Sequence, residues 1–180
     1  MTKPFAKTTL ILVETSRLIA PFFIFPNPLV TSILVLTLDS IDGSLFYKSG
    51  YNWKAYNLID KLLDYWWYIF IVIYSLSLPI FPIILILFAY RTIGQLLGLL
   101  TQNEKVYIFF PNILEKYFDL FVVLTFLGYE NLFLKTVTNS LILIISISIS
   151  LFTEWAIHKK KIYLTQIILF GKAMKWKKND

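Results

Sequence analysis

The chain has 180 residues, 57% hydrophobic and only 16% charged, with no cysteine. A soluble domain carries about 45–50% apolar and about 25% charged residues, and a core of this size could not bury the surplus. An ordinary soluble enzyme, a disordered chain and a disulfide scaffold are excluded, as are thiolate metal sites and thiol nucleophiles. A mean hydropathy of +0.68 points instead to lipid as part of the solvent. The formal net charge is +6, and seven of the 17 Lys and Arg residues lie within 159–178. A basic end on an apolar chain faces anionic headgroups or the cytoplasm. No nucleic-acid partner is expected, because no soluble module is there to present the patch.

A transmembrane helix needs about 20 mostly apolar residues. Six stretches read as spans, at about 8–25, 29–47, 57–78, from the Pro79/Pro82 turn to about 100, 107–127 and 137–157. The first reads as a membrane helix and is not expected to be a signal peptide, since Glu14 and Arg17 interrupt it and no clear small-residue cleavage site follows. The expected fold is an all-α integral membrane protein, with six transmembrane helices in one bundle and residues 1–180 as a single domain. With the N-terminus in the cytoplasm, the joints near 26–28 and 79–82 face outward and hold no Lys or Arg. The inward segments carry Lys48, Lys54, Lys105 and the 159–161 cluster, as the positive-inside rule requires. Both termini are then cytoplasmic. Within 144–150 Ile alternates with Ser, a strand-like period. Long apolar runs elsewhere argue against a barrel, and each Ser can return a hydrogen bond to its own helix. The tail, 158–180, is basic, and its apolar part, 162–170, reads as an interfacial helix with snorkelling lysines.

Four acidic residues stand out. Asp39 and Asp42 are three apart near the end of the second span; Asp60 and Asp64 are four apart near the start of the third. These spacings put each pair on one helical face. A short inward loop joins the two helices, which brings both pairs to a similar depth. Carboxylates in low dielectric need neutralisation, and the nearby cations are few: Lys48, Lys54 and Lys61. A hard cation with oxygen ligands, Mg²⁺ or Mn²⁺, is the economical partner. Such a metal at a membrane surface suggests phosphoryl chemistry on a lipid diphosphate. The plainer alternative is solvated helix-end aspartates paired with those lysines.

The register of these residues resembles the CDP-alcohol phosphatidyltransferases. That family carries D-x-x-D-G-x-x-A-R, about eight residues, then G-x-x-x-D-x-x-x-D. Asp39, Asp42, Gly43, Asp60 and Asp64 fit it without a gap. Phe46, Tyr47 and Tyr56 stand where the family has Ala, Arg and Gly. The resemblance implies that Asp39, Asp42, Asp60 and Asp64 form the metal site. It also implies that Asp64 is the catalytic base on the acceptor alcohol, and that Gly43, Tyr47 and Tyr56 line the substrate site. The implied reaction moves a substituted phosphate from a CDP-linked lipid to a small alcohol acceptor among membrane lipids, releasing CMP in phospholipid biosynthesis. Phe46 and Tyr56 would crowd the nucleotide, and Tyr47 offers one hydroxyl in place of a bidentate guanidinium. A family member without activity is therefore one alternative, and a cation transporter using the acidic hairpin another.

The remaining polar positions have structural readings. Glu14 and Arg17, three apart, read as an ion pair, with an acceptor-site role for Arg17 as the alternative. Arg91 reads as a snorkelling group or a phosphate contact. Gly94 and Gly98 form a G-x-x-x-G that permits close helix packing, within the chain or in a homodimer. Glu115 with Asp119, and Glu154 with His158, are same-face pairs, and the Tyr65-Trp66-Trp67-Tyr68 run reads as an interfacial aromatic belt.

Overall fold

The computed structural model describes residues 2–103 and 105–159, the side chains of Trp53, His158 and Lys159 excepted. The described residues are all-α, with no strand among them. Seven α-helices follow one another: α1 (Lys3–Ile19), α2 (Pro28–Ser49), α3 (Trp53–Ser75), α4 (Phe81–Thr101), α5 (Val106–Phe109), α6 (Ile113–Phe126) and α7 (Thr136–Glu154). Three are long and apolar enough to cross a membrane: Pro28–Ser49, Phe81–Thr101 and the α7 segment Thr136–Ile157. Large apolar side chains stand outward on them, among them Ile33, Ile86, Leu100 and Val137. In water such faces would drive association, whereas in a bilayer they meet lipid.

The other expected spans differ from a plain 20-residue helix. The first is shifted toward the N-terminus: α1 has 17 residues and passes into a 3₁₀ turn at Ala20–Ile24. Pro21 causes this, because it has no N–H to return to the Arg17 carbonyl. The third, α3, has 23 residues, and Lys54, Asp60, Lys61 and Asp64 interrupt its apolar run. The fifth is broken. Phe110 leaves the helical region at φ −122°, ψ 63°, as a residue before proline must, and Pro111 separates α5 from the 14-residue α6. At about 1.5 Å per residue, α6 extends about 21 Å, short of a hydrocarbon core about 30 Å thick.

The chain divides into two compact units; among the described residues the first comprises the segment to Trp67 and the second runs from Tyr68. In the first unit α1 packs along α2. Leu10 and Val13 of α1 join Leu45 and Phe46 of α2 in one core cluster, with Leu38, Ile41 and Tyr56 against it. Asn27 starts α2 by accepting a hydrogen bond from the Val30 N–H at 3.0 Å, and Pro28 sits where the helix needs no donor. Gly50 ends α2 at φ +81°, a left-handed cap that its missing Cβ allows. Asn52 then accepts from the Ala55 N–H at 2.8 Å near the start of α3.

In the second unit the rings of Tyr117, Phe121 and Phe133 interlock edge to face. The carbonyls left open by the Phe110–Pro111 break are taken by α4: Tyr90 donates to Phe109 and Arg91 to Phe110. The G-x-x-x-G face of α4 is filled within the chain. A Cβ on Gly94 would come within 2.2 Å of Phe110 Cβ, and one on Gly98 within 2.5 Å of the Tyr107 ring. Ser146 and Ser148 bond the carbonyls four residues back, as expected of a helix, while Ser150 bonds across to Asn112. The tail beyond residue 159, with the segment expected to be interfacial, lies outside the described residues.

Candidate functional site

The site belongs wholly to the first unit and is built on three helices. Asp39 and Asp42 come from α2, Asp60 and Asp64 from α3, and Arg17 from the last turn of α1. The structure brings all four aspartates to one centre, as the helical spacing predicts. Asp39, Asp42 and Asp60 each offer a carboxylate oxygen within 4.8 Å of the others. Burial is graded. The Asp42 side chain is 0% exposed and Asp60 9%, against 40% for Asp39. The centre is therefore deep at Asp42 and opens at Asp39.

The residue that organises this centre is Arg17, and the sequence reading assigned it a different main partner. The expected ion pair with Glu14 is present at 3.9 Å, beyond hydrogen-bond range. Its hydrogen bonds go to the aspartates. Nη1 donates to Asp42 Oδ2 and, at 3.4 Å, to Asp60 Oδ1; Nη2 donates to Asp39 Oδ1 at 2.8 Å and to Asp64 Oδ1 at 3.1 Å. Each nitrogen thus bridges one aspartate of α2 and one of α3. Lys61 joins from the side, at 2.7 Å from Asp60 Oδ2 and 2.9 Å from Asp64 Oδ2. The expectation that nearby lysines pair with these aspartates holds for Lys61.

Trp66 holds the α1 backbone beside the site. Its indole N–H donates to the Leu18 carbonyl at 2.9 Å, and its ring meets Phe22 edge-on. The aromatic run 65–68 is therefore not a uniform interfacial belt: Trp66 ties α3 to α1, while Trp67 and Tyr68 are core residues at 3% and 1% exposure. A belt and a core demand the same apolar rings, which is why composition alone did not separate them.

Among the described residues the formal charges of the centre do not balance. Arg17 and Lys61 answer two of the four aspartate charges, and Glu14 adds a fifth carboxylate whose oxygens accept no hydrogen bond. Asp42 Oδ1 is buried and also accepts none. A buried carboxylate oxygen left in this state is costly, and a cation would relieve it. The donor set fits Mg²⁺ or Mn²⁺. Oxygens facing each other across Mg²⁺ lie about 4 Å apart, which a group already within 4.8 Å reaches by small side-chain movements.

The three expected substrate-lining residues separate. Gly43 and Tyr56 meet: a Cβ on Gly43 would lie 3.1 Å from the Tyr56 hydroxyl oxygen. The Tyr56 ring also packs on Phe46, with centroids 5.2 Å apart. The crowding expected of these aromatics is therefore present, with the Tyr56 ring in the space beside Gly43. Tyr47 is five residues beyond Asp42, about 140° round the helix, and its side chain is exposed. The structure does not aim it at the aspartates.

The polar pairs of the second unit form their own networks. Arg91 is neither snorkelling nor open to a ligand: it is buried, 3.4 Å from Glu154, and over the Tyr107 ring. Glu154 also accepts from the Asn112 N–H at 3.3 Å; its expected contact with His158 falls outside the described side chains. Lys116 lies between Glu115 and Asp119, at 3.8 and 3.7 Å. Compared with known proteins, the chain matches no family model, no curated protein and no solved structure.

Proposed function

We propose that the chain is a metal-dependent phosphotransferase of the membrane, similar in chemistry to the CDP-alcohol phosphatidyltransferases, and that its six main helical segments all lie in or across the bilayer. The observation that carries this reading is the meeting of four aspartates from α2 and α3, with oxygens of Asp39, Asp42 and Asp60 within 4.8 Å. Asp39, Asp42 and Asp60 would hold Mg²⁺ or Mn²⁺, with Asp64 completing the set. The bound ion supplies charge neutralisation for the donor's diphosphate and the departing CMP. Asp64 takes the proton of the acceptor hydroxyl as its oxygen attacks phosphorus. The bond from that phosphorus to the CMP oxygen breaks, and CMP leaves with the electron pair. To act as base, Asp64 must first exchange its contacts with Lys61 and Arg17, which hold both its oxygens. The opening at Asp39 gives the headgroup a way in, while the apolar faces keep the lipid tails in the bilayer.

The test is CMP release by purified protein in nanodiscs containing CDP-diacylglycerol, with a panel of small alcohols and Mg²⁺ or Mn²⁺. Release that needs the metal, and falls at least 100-fold in D60N and D64N, supports the reading. Release unchanged in both variants refutes the assigned roles.

A second reading has its own observation. Tyr56 occupies the space beside Gly43, where a nucleotide would approach. On that reading the chain keeps the acidic centre without turnover. Metal binding with no CMP release under any acceptor would favour it.

A further inference from the structure

We propose that Arg17 is a displaceable counter-cation, which holds the aspartates in the absence of a divalent ion and binds the donor's diphosphate once that ion has taken the carboxylates. The inference rests on the metal-dependent reading above and assigns a role to a residue outside the motif. A guanidinium and a dication compete here for the same residues. Nη1 uses Asp42 and Asp60, and Nη2 uses Asp39; those three are the residues whose oxygens cluster within 4.8 Å. Arg17 does not satisfy the cluster, since Asp42 Oδ1 stays buried without a hydrogen bond. A small ion of twice the charge relieves that oxygen and then repels the guanidinium beside it.

The displaced group has a short way to go. Nη2 already bonds Asp39, the most exposed of the four aspartates. Trp66 fixes the α1 backbone at Leu18, so that only the Arg17 side chain need turn toward the opening. A diphosphate arriving at the metal brings the charge and planar oxygen pairs that a guanidinium recognises with two parallel hydrogen bonds. The exposed Tyr47 at the motif's arginine position has one hydroxyl to offer.

The role separates from a structural one by opposite signs. Wild type, R17M and R17K are compared in lipid nanodiscs, with Mn²⁺ binding read by electron paramagnetic resonance and CDP-diacylglycerol binding read at saturating Mn²⁺. R17M should bind Mn²⁺ at least tenfold more tightly and CDP-diacylglycerol at least tenfold more weakly. R17K should fall between R17M and wild type on both. An arginine that only supports the fold weakens both affinities together, and that outcome overturns the proposal. So does a folded R17M with unchanged Mn²⁺ affinity. If R17M does not fold, R17K decides, and a Mn²⁺ affinity no higher than wild type overturns it. Wild type that binds no Mn²⁺ at millimolar concentration sinks the metal-dependent reading and this inference together. Wild type that binds Mn²⁺ and releases CMP, with no gain in R17M, sinks this inference alone.

Discussion

Removing Arg17 should cost the metal-free protein far more stability than neutralising Asp42, although the two are direct partners. At an effective dielectric constant of about 20, unit charges 4 Å apart interact by about 4 kcal/mol. Arg17 has four aspartate partners at or within 3.4 Å. In R17M these lose their shared donor and face one another with Lys61 as the remaining cation of the centre among the described residues. Protonation of one carboxyl caps the loss, which leaves about 3–5 kcal/mol, as for breaking a buried pair from one side. D42N also loses an attraction of about 4 kcal/mol to Arg17. It simultaneously removes the repulsions of Asp42 with Asp39 and with Asp60, whose oxygens all lie within 4.8 Å, each worth about 3.5 kcal/mol on the same scale. The amide keeps an acceptor oxygen for Arg17. The balance for D42N is therefore neutral or stabilising. Unfolding in bicelles with a chelator present, followed by steric trapping or denaturing detergent, measures both. Equal losses in the two variants, or an R17M as stable as wild type, would refute the charge argument. Millimolar Mg²⁺ should then restore most of the R17M loss and stabilise D42N little, because D42N lacks the deep ligand.

Other expectations follow from single contacts. Y56G should strengthen CDP binding by clearing the space beside Gly43, while lowering stability by about 2 kcal/mol through loss of the ring against Phe46; calorimetry and thermal unfolding read the two, and unchanged CDP affinity counts against the blocking role. G94A should destabilise by about 1–3 kcal/mol, since its Cβ would lie 2.2 Å from Phe110 Cβ, an atom too near the backbone to move freely. Cross-linking of G94A should show no change in oligomer state, and loss of a dimer with unchanged stability would contradict the intrachain packing. R91M should cost about 3 kcal/mol by removing the cation beside buried Glu154 and the donor to the Phe110 carbonyl, and the R91M/E154Q double variant should recover at least half of it in the same unfolding assay.

Much of the helical layout was legible because it follows from local chemistry. Pro21, Pro28, Pro82 and Gly50 lie at helix starts and ends, and the Ser residues of 144–150 make the backbone contacts a helix allows. The break within the expected fifth span was not legible because hydropathy is blind to it. The apolar run of that span continues through Phe110 and Pro111, but the backbone does not, and the carbonyls freed there are satisfied by Tyr90 and Arg91 some 19 residues away in sequence. Those two side chains could not be assigned without knowing that a break existed for them to fill.

The acidic centre divides along the same line. The two aspartate pairs are visible from spacings of three and four, and one short connection brings them together. Arg17 is separated from its partners by 22 to 47 residues, and nothing in the spacing selects them over Glu14 one turn away. What could have pointed to them is charge accounting. An arginine in an apolar helix seeks the largest unpaired negative charge within reach, and four aspartates offer more than one glutamate. The same accounting explains why the centre is poised for exchange. A guanidinium spreads one charge over two α2 and two α3 carboxylates and leaves a buried Asp42 oxygen without a donor. The arrangement holds α1, α2 and α3 together yet, among the described residues, stays formally short of neutrality, which is the condition under which a stronger cation can take the carboxylates without dismantling the helices that carry them.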